Sequence, residues 1–410
     1  MFAASGRPVL KIGIDFGTTY SAVAHALRYP NDASLDKIPG CLPLISLRNV
    51  LFDGASQVRT QLAWHPSDQE WLWGNEVDEP IQDKDVLESS RITMIKLGLD
   101  MSDEMSDVRT RISNQLADLP ADCNQPSVQD LITIYLNRLF SYAKTKIAQA
   151  YQRPGLFDVF ETAYVECAIC VPALWTQPMV QLMISAAENA GIPNPIPISE
   201  PEAAATFIRQ EEMETSTQLE GGSAGPIGDT DPFLVVDAGG GTTDFITYDV
   251  EIHDGKYQMV EGVRGTGKFC GSALLDEDFR DDFATFQRNN MPDFLEDLAK
   301  PNTSEAQNEI LKTAVEDFEK AKKRFNGSST DPRRRKMIIH IPGIRERPGK
   351  GVGVGRIVVP TSRITKLFQK LLNIITETIK QQTNAFNDTC YSRNGRRIQA
   401  SYSYDSIPVT

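Results

Sequence analysis

Two stretches of this 410-residue chain follow one pattern. "IGIDFGTTYSAVA" begins at Ile12 and "LVVDAGGGTTDFITY" at Leu234, and each reads as apolar strand, Asp, glycine-containing turn, Thr-Thr, second strand. Asp15 and Asp237 lie 222 positions apart (237 − 15). One such hairpin could be an ordinary tight turn. A pair, each flanked by residues that alternate like strands, predicts an α/β chain built from two similar halves. Three successive glycines, Gly239, Gly240 and Gly241, also need a reason. Glycine lets another group approach the backbone closely.

That chemistry suits a nucleotide triphosphate. The N–H groups of a glycine-rich turn can converge on phosphate oxygens, and threonine hydroxyls add donors. Carboxylates repel phosphate, so Asp15 and Asp237 are expected to reach a hydrated Mg²⁺ through its water shell. The alternative is two structural turns with no ligand.

The rest of the chain narrows the class. With 40% hydrophobic and 24% charged residues it has the balance of a globular protein, long enough for more than one core. A net charge of −13 argues against a nucleic-acid or anionic-membrane surface. No secretory signal or membrane-spanning run is legible, and six unevenly placed cysteines do not form a disulfide framework. The expected location is cytoplasmic, with the nucleus as an alternative.

Helices are expected over 128–149, 177–191, 198–210, 273–288, 304–325 and 361–386, and strands over 9–26, 164–172, 233–250, 336–341 and 355–359. Residues 30–125 carry little pattern. Residues 210–231 are polar, acidic and glycine-containing, and read as a flexible linker.

Five segments then carry a resemblance. "IGIDFGTTYSAVA", "AICVPALW", "ISEPEAAA", "FLVVDAGGGTTDF" and "FCGSALLDEDF" together resemble the nucleotide-binding domain of the Hsp70 family, within the actin, sugar-kinase and Hsp70 ATPase group. In style they are similar to the atypical fungal Hsp70-like proteins and the Hsp70 family 12 type. The resemblance covers roughly residues 9–385. It implies a two-lobed actin-like ATPase fold with duplicated ribonuclease-H-like lobes. Lobe I would span 8–209, with a variable subdomain at 30–125, and lobe II would span 232–386.

It also implies roles. Gly17, Thr18, Thr19 and Tyr20 resemble the first phosphate loop, and Gly239, Gly240, Gly241 and Thr242 the second. Asp15, Glu200, Asp237 and Asp244 resemble the acidic cluster around Mg²⁺ and the attacking water. Lys96 is the candidate for a lysine aimed at the γ-phosphate; otherwise it is a surface lysine. Gly271 would lie near the phosphates. Glu319, Lys322 and Lys323 would line the adenosine, or else form a plain charged helix face. The implied ligands are ATP or ADP with Mg²⁺, and the implied partners are protein clients or co-chaperones. The implied activity is slow ATP hydrolysis coupled to lobe closure. A non-hydrolysing nucleotide sensor and a small-molecule kinase of the same group are the rivals.

The chain departs from the family at its end. Residues 387–410 show no apolar strand and no Gly-Gly turn, so the second lobe is expected to be incomplete and this tail disordered or aberrant. A truncated or misjoined gene product and a short isoform both fit that expectation. No peptide-binding domain is expected in this chain.

Other motifs are discounted. "GVRGTGKF" (262–269) has Phe269 where a P-loop needs Ser or Thr. "CAIC" (167–170) sits in an apolar strand without a second ligand pair. "GKGVGVG" (349–355) reads as a hairpin, and "RRRK" (333–336) as a solvated loop.

Overall fold

The computed structural model describes residues 6–29, 48–83, 85–87, 90–120, 123, 125–152, 158–208, 231–253, 256–290, 303–323, 325, 336–341, 344–395 and 397–398. The architecture is mixed α/β. The chain separates into two compact units: one runs to Phe269 and resumes at Gln381, and the other covers Cys270–Lys380. The expected linker at 210–231 lies almost wholly outside the described residues, and both Gly-Thr-Thr hairpins belong to the first unit.

The principal sheet of the first unit has the order β3 (Arg48–Asn49), β2 (Tyr20–Arg28), β1 (Val9–Phe16), β8 (Tyr164–Val171), β9 (Ile196–Ser199), with β4 (Val58–Arg59) also on β2. The β1–β2 pair is antiparallel and sets Asp15 opposite Ala22. Strand β8 runs parallel to β1, with Gly13 opposite Ala168. Alternation sends Leu10, Ile12, Ile14 and Phe16 inward, each at most 1% exposed, and leaves Lys11, Gly13 and Asp15 on the other face.

Two helices cover the inward face, Val128–Tyr151 and Gln177–Asn189. The first starts at a capping box: Ser127 Oγ accepts from the Asp130 N–H, and the Asp130 carboxylate accepts from the Ser127 N–H. Leu131, Tyr135, Leu139 and Ile147 then recur at helical spacing and are fully buried. The region with little sequence pattern holds a small sheet, β6 (Glu70–Trp73), β5 (Gln61–His65), β7 (Arg91–Thr93), whose core includes Trp64, Trp71 and Trp73.

The second hairpin belongs to an antiparallel sheet of β10 (Phe233–Ala238), β11 (Thr243–His253) and β12 (Lys256–Lys268). Here Asp237 lies directly opposite Asp244. Strand β12 contains the stretch that mimics a P-loop. Its glycines are packing positions: a Cβ on Gly265 would come within 2.9 Å of Ile246, one on Gly267 within 2.6 Å of Asp244 Oδ1, and one on Gly262 would collide with the Phe386 ring. "CAIC" lies in β8, where burial pushes the Cys167 thiol up to about 12.

The second unit places the helices Ser272–Asn290 and Thr303–Lys322 with a sheet of β13 (Lys336–His340), β15 (Arg356–Pro360) and β14 (Val352–Gly353). Its core centres on Phe279 and Phe318, stacked at 4.2 Å between centroids. "GKGVGVG" forms the β14–β15 hairpin, as its composition predicts.

One expectation needs correction. The last helix does not stop at 386 but runs Thr361–Asn394. Phe386, fully buried, and Ile398 pack with Leu234 and Val263 on the β10–β12 sheet. This apolar pair anchors residues on either side of the helix end to the sheet, whereas residues 399–410 of the expected disordered tail lie outside the described residues. An Asn387 side-chain oxygen also accepts from the Ile398 N–H at 2.9 Å.

Candidate functional site

The two Gly-Thr turns meet. A Cβ on Gly240 would fall 2.5 Å from Thr19 Oγ1, and one on Gly241 would fall 3.0 Å from Thr18 Oγ1 and from both Leu97 methyls. Real Cβ atoms do not sit this close to neighbours. Glycine is therefore required at position 240 by the approach of the opposite turn, and at 241 a Cβ would be tight enough that Thr18 or Leu97 would have to shift. The turns are also braced internally. Gly239 N–H donates to the Thr242 carbonyl at 2.9 Å, Thr60 N–H donates to the Thr19 carbonyl at 2.8 Å, and a Cβ on Gly17 would strike the Tyr20 carbonyl. Thr18 and Thr243 are buried, and the Arg59 guanidinium lies over the Tyr20 ring at 5.7 Å.

Around this junction stand Asp15, Glu200, Asp237, Asp244 and Lys96, all within the first unit. Lys96 comes from a short 3₁₀ segment, Ile95–Leu99, entered through Met94 in the left-handed region at φ 57°. Its side chain is almost wholly buried and forms an ion pair with Glu200, so the surface-lysine alternative fails. Burial pulls the Lys96 ammonium down, but Glu200 and Asp15 outweigh it and hold the group charged. The indole of Trp175 lies 5.9 Å from the Lys96 Nζ.

The three aspartates are held well above the ordinary carboxylate range. Burial is the largest cause for each. It takes Asp15 to about 6, with Lys96 pulling down and Glu200 pushing up. Asp237 goes to about 7, raised further by Glu200, Asp244 and Asp15. Asp244 goes to about 6; Glu200 raises it, while an Ala173 backbone hydrogen bond and Lys96 lower it. Asp15 is crowded by protein atoms yet keeps a solvent-exposed surface. Two ionised carboxylates facing across a strand pair at ~5 Å would repel by about 3 kcal/mol at an effective dielectric of ~20. Asp237 and Asp244 occupy such opposed positions, and a shared proton or a cation would relieve their repulsion.

The donor set fits a hydrated divalent cation. Asp15, Glu200, Asp237 and Asp244 outnumber the single ammonium of Lys96 that acts on them. Among the described residues no three His, Cys, Asp or Glu are gathered closely enough to ligate a metal directly. Hydrated Mg²⁺ keeps most of its own waters and asks for outer contacts of this kind.

The remaining predicted residues fall in the second unit. Gly271 is buried just before the helix Ser272–Asn290. Lys322 is buried, and its Nζ donates to the Ser272 carbonyl at 3.0 Å and to Asp276 Oδ2 at 2.6 Å. The plain solvated face thus fails for Lys322. Glu319 and Lys323 pair at 3.6 Å one turn apart. Asp276 Oδ1 is buried without a hydrogen-bond partner among the described residues.

Several site residues were invisible in the sequence. Gly267 makes room for the Asp244 carboxylate, yet it belongs to a motif that reads as a failed P-loop. Ala173 and Trp175 sit in "AICVPALW", whose resemblance points to the turn without singling out either residue. Cys170 lies close enough to the cluster for Asp15 and Glu200 to raise its thiol, which burial first of all drives up to about 12.

No family model matches the chain. Among curated proteins it is similar to Heat shock 70 kDa protein 12A of Homo sapiens, 26% identical over 166 residues, covering 29% of this chain and 24% of that protein. The same protein of Mus musculus is 28% identical over 166 residues with the same coverage. The match spans about a quarter of the length of these relatives (24%), a weak and partial likeness to an Hsp70-type protein.

Proposed function

We propose that this chain is an Hsp70-like ATP-binding module with a two-lobed actin-like fold, in which the two Gly-Thr turns grip the phosphates of one nucleotide. The observation that carries this reading is the mutual approach of Gly240 and Thr19, and of Gly241 and Thr18, beside a cluster of carboxylates with raised pKa. The partial likeness to Heat shock 70 kDa protein 12A supports it.

In this reading Gly17, Thr18, Thr19 and Tyr20 contact phosphate from one side, and Gly239, Gly240, Gly241 and Thr242 from the other. Their backbone N–H groups and hydroxyls supply donors that glycine leaves unobstructed. Asp15 and Asp237 hold the water shell of Mg²⁺, which neutralises phosphate charge when bound. Lys96 adds a fixed positive charge, kept in place by Glu200. Asp237 or Asp244, each with an affinity for protons near neutrality, orients a water in line with the β–γ bond and takes its proton. Nucleotide state changes lobe closure, which signals to a client or co-chaperone.

The Lys96–Glu200 pair favours a second reading, because an ammonium already neutralised by a carboxylate gives less to a phosphoryl group. The chain would then bind nucleotide without hydrolysing it. Single-turnover phosphate release from Mg²⁺-ATP separates the two. The hydrolase reading expects slow release, reduced at least tenfold in D15N and D237N. Binding without release supports the sensor, and transfer to a sugar panel would support a kinase instead.

A further inference from the structure

The turn that joins β8 to the following helix touches the site at several points. Residues Pro172–Trp175 close on themselves, with the Trp175 N–H donating to the Pro172 carbonyl at 3.2 Å. The Ala173 backbone forms a hydrogen bond to the Asp244 carboxylate. Leu174 lies against Gly267, where a Cβ would fall 2.8 Å from its Cδ1 and 2.6 Å from Asp244 Oδ1. Trp175, about 9% exposed, stands 5.9 Å from the Lys96 Nζ. One four-residue turn thus reaches both the acid opposite Asp237 and the lysine opposite Glu200.

We infer that Trp175 is a positioning residue: its indole face and the Glu200 carboxylate hold the Lys96 ammonium between them, at the place where the nucleotide reading needs a fixed positive charge. This rests on that reading for its catalytic consequence, but the Trp175–Lys96 contact stands without it. A long lysine side chain has many rotamers. Glu200 alone leaves it free to swing about that ion pair, whereas an aromatic face on a second side removes that freedom. The quadrupole of the indole attracts the ammonium without neutralising it, so charge remains available to a phosphate. The same turn holds Asp244 through the Ala173 backbone, so one turn braces both the lysine and the acid.

The test compares W175F, which keeps an aromatic face, with W175L, which keeps apolar bulk and loses it. Each is first checked for wild-type thermal unfolding. In single-turnover hydrolysis, W175L should lose roughly tenfold in the chemical rate with ATP affinity within about twofold, and W175F should recover most of the loss. Amine labelling of Lys96 by acetic anhydride, read by mass spectrometry, should be several-fold faster in W175L than in the wild type or W175F. Equal labelling in all three overturns the contact, even if ATP is hydrolysed. If the wild type neither binds nor hydrolyses ATP while W175L still labels faster, the positioning role stands and the nucleotide reading falls. Should W175L fail to fold, K96M carries the question through the W175F-subtracted emission spectrum: a shifted indole band supports the contact, and an unchanged band overturns it.

Discussion

A Cβ placed on Gly240 would lie 2.5 Å from Thr19 Oγ1 and 2.7 Å from its Cγ2, so two turns more than 200 residues apart in sequence (240 − 19 = 221) are in contact through a missing side chain. Thr19 is β-branched and cannot simply rotate away, because oxygen, methyl and Cβ all lie within 3.1 Å of the added atom. Overpacking of this kind costs about 1–3 kcal/mol. G240V should therefore unfold at lower denaturant, and T19A should restore part of the loss in the double variant. Additive single effects in a double-mutant cycle would show that the turns do not touch.

The acid cluster sets a pH dependence with a definite sign. Asp15 at about 6, Asp237 at about 7 and Asp244 at about 6 bind protons more tightly folded than at the ordinary value of 3.8. Their contribution is fully present below the unfolded value and is lost as pH rises through about 6 to 7. Stability without nucleotide or divalent cation should rise between pH 7.5 and 5, and D237N should flatten that slope. Mg²⁺ binding should run the other way, weakening as these groups take up protons. Stability that falls on acidification from 7.5 to 5 equally in wild type and D237N would contradict the burial of these carboxylates.

The Lys96–Glu200 pair predicts an asymmetry. The Lys96 side chain is 3% exposed, whereas that of Glu200 is 20% exposed. Removing the carboxylate strands a buried ammonium with Asp15 as its remaining counter-charge; removing the lysine leaves a carboxylate that water still reaches. E200A should cost about 3 kcal/mol or more, and K96M distinctly less, in urea unfolding. The reverse order would mean that Lys96 carries the greater structural burden.

Phe386 ties the end of the last helix to the β10–β12 sheet. It is fully buried, and the gap at Gly262 receives its ring. F386A should cost about 3–5 kcal/mol. Deleting residues 386–410 should do at least as much harm, which a dispensable tail would not. Unchanged unfolding of the shortened chain would show that Phe386 does not anchor the end of the helix.

These cases mark what the residues alone made legible. The hairpins at Asp15 and Asp237 were readable because alternation, glycine and Thr-Thr all point the same way. Strand β12 was not, since Gly262, Gly265 and Gly267 look like a loop until the atoms facing them are known. Lys96 stood in thin context; its ion pair with a residue 104 positions away has no local signature. Trp175 carried no signal of its own; it belongs to the buried core and its ring also faces Lys96, to which nothing in the sequence links it. The helix past 386 escaped because "NDTCYSRN" is polar with poor helix propensity, and its order comes from Phe386 and Ile398.

The most direct measurement is calorimetric titration of the whole chain with ATP, with and without Mg²⁺, alongside G240V and D15N. Two turns closing on one triphosphate predict saturable binding that tightens at least tenfold with Mg²⁺ in the wild type, loses that gain in D15N and vanishes in G240V. Absence of binding, or binding that ignores both the metal and the substitutions, would contradict the nucleotide site.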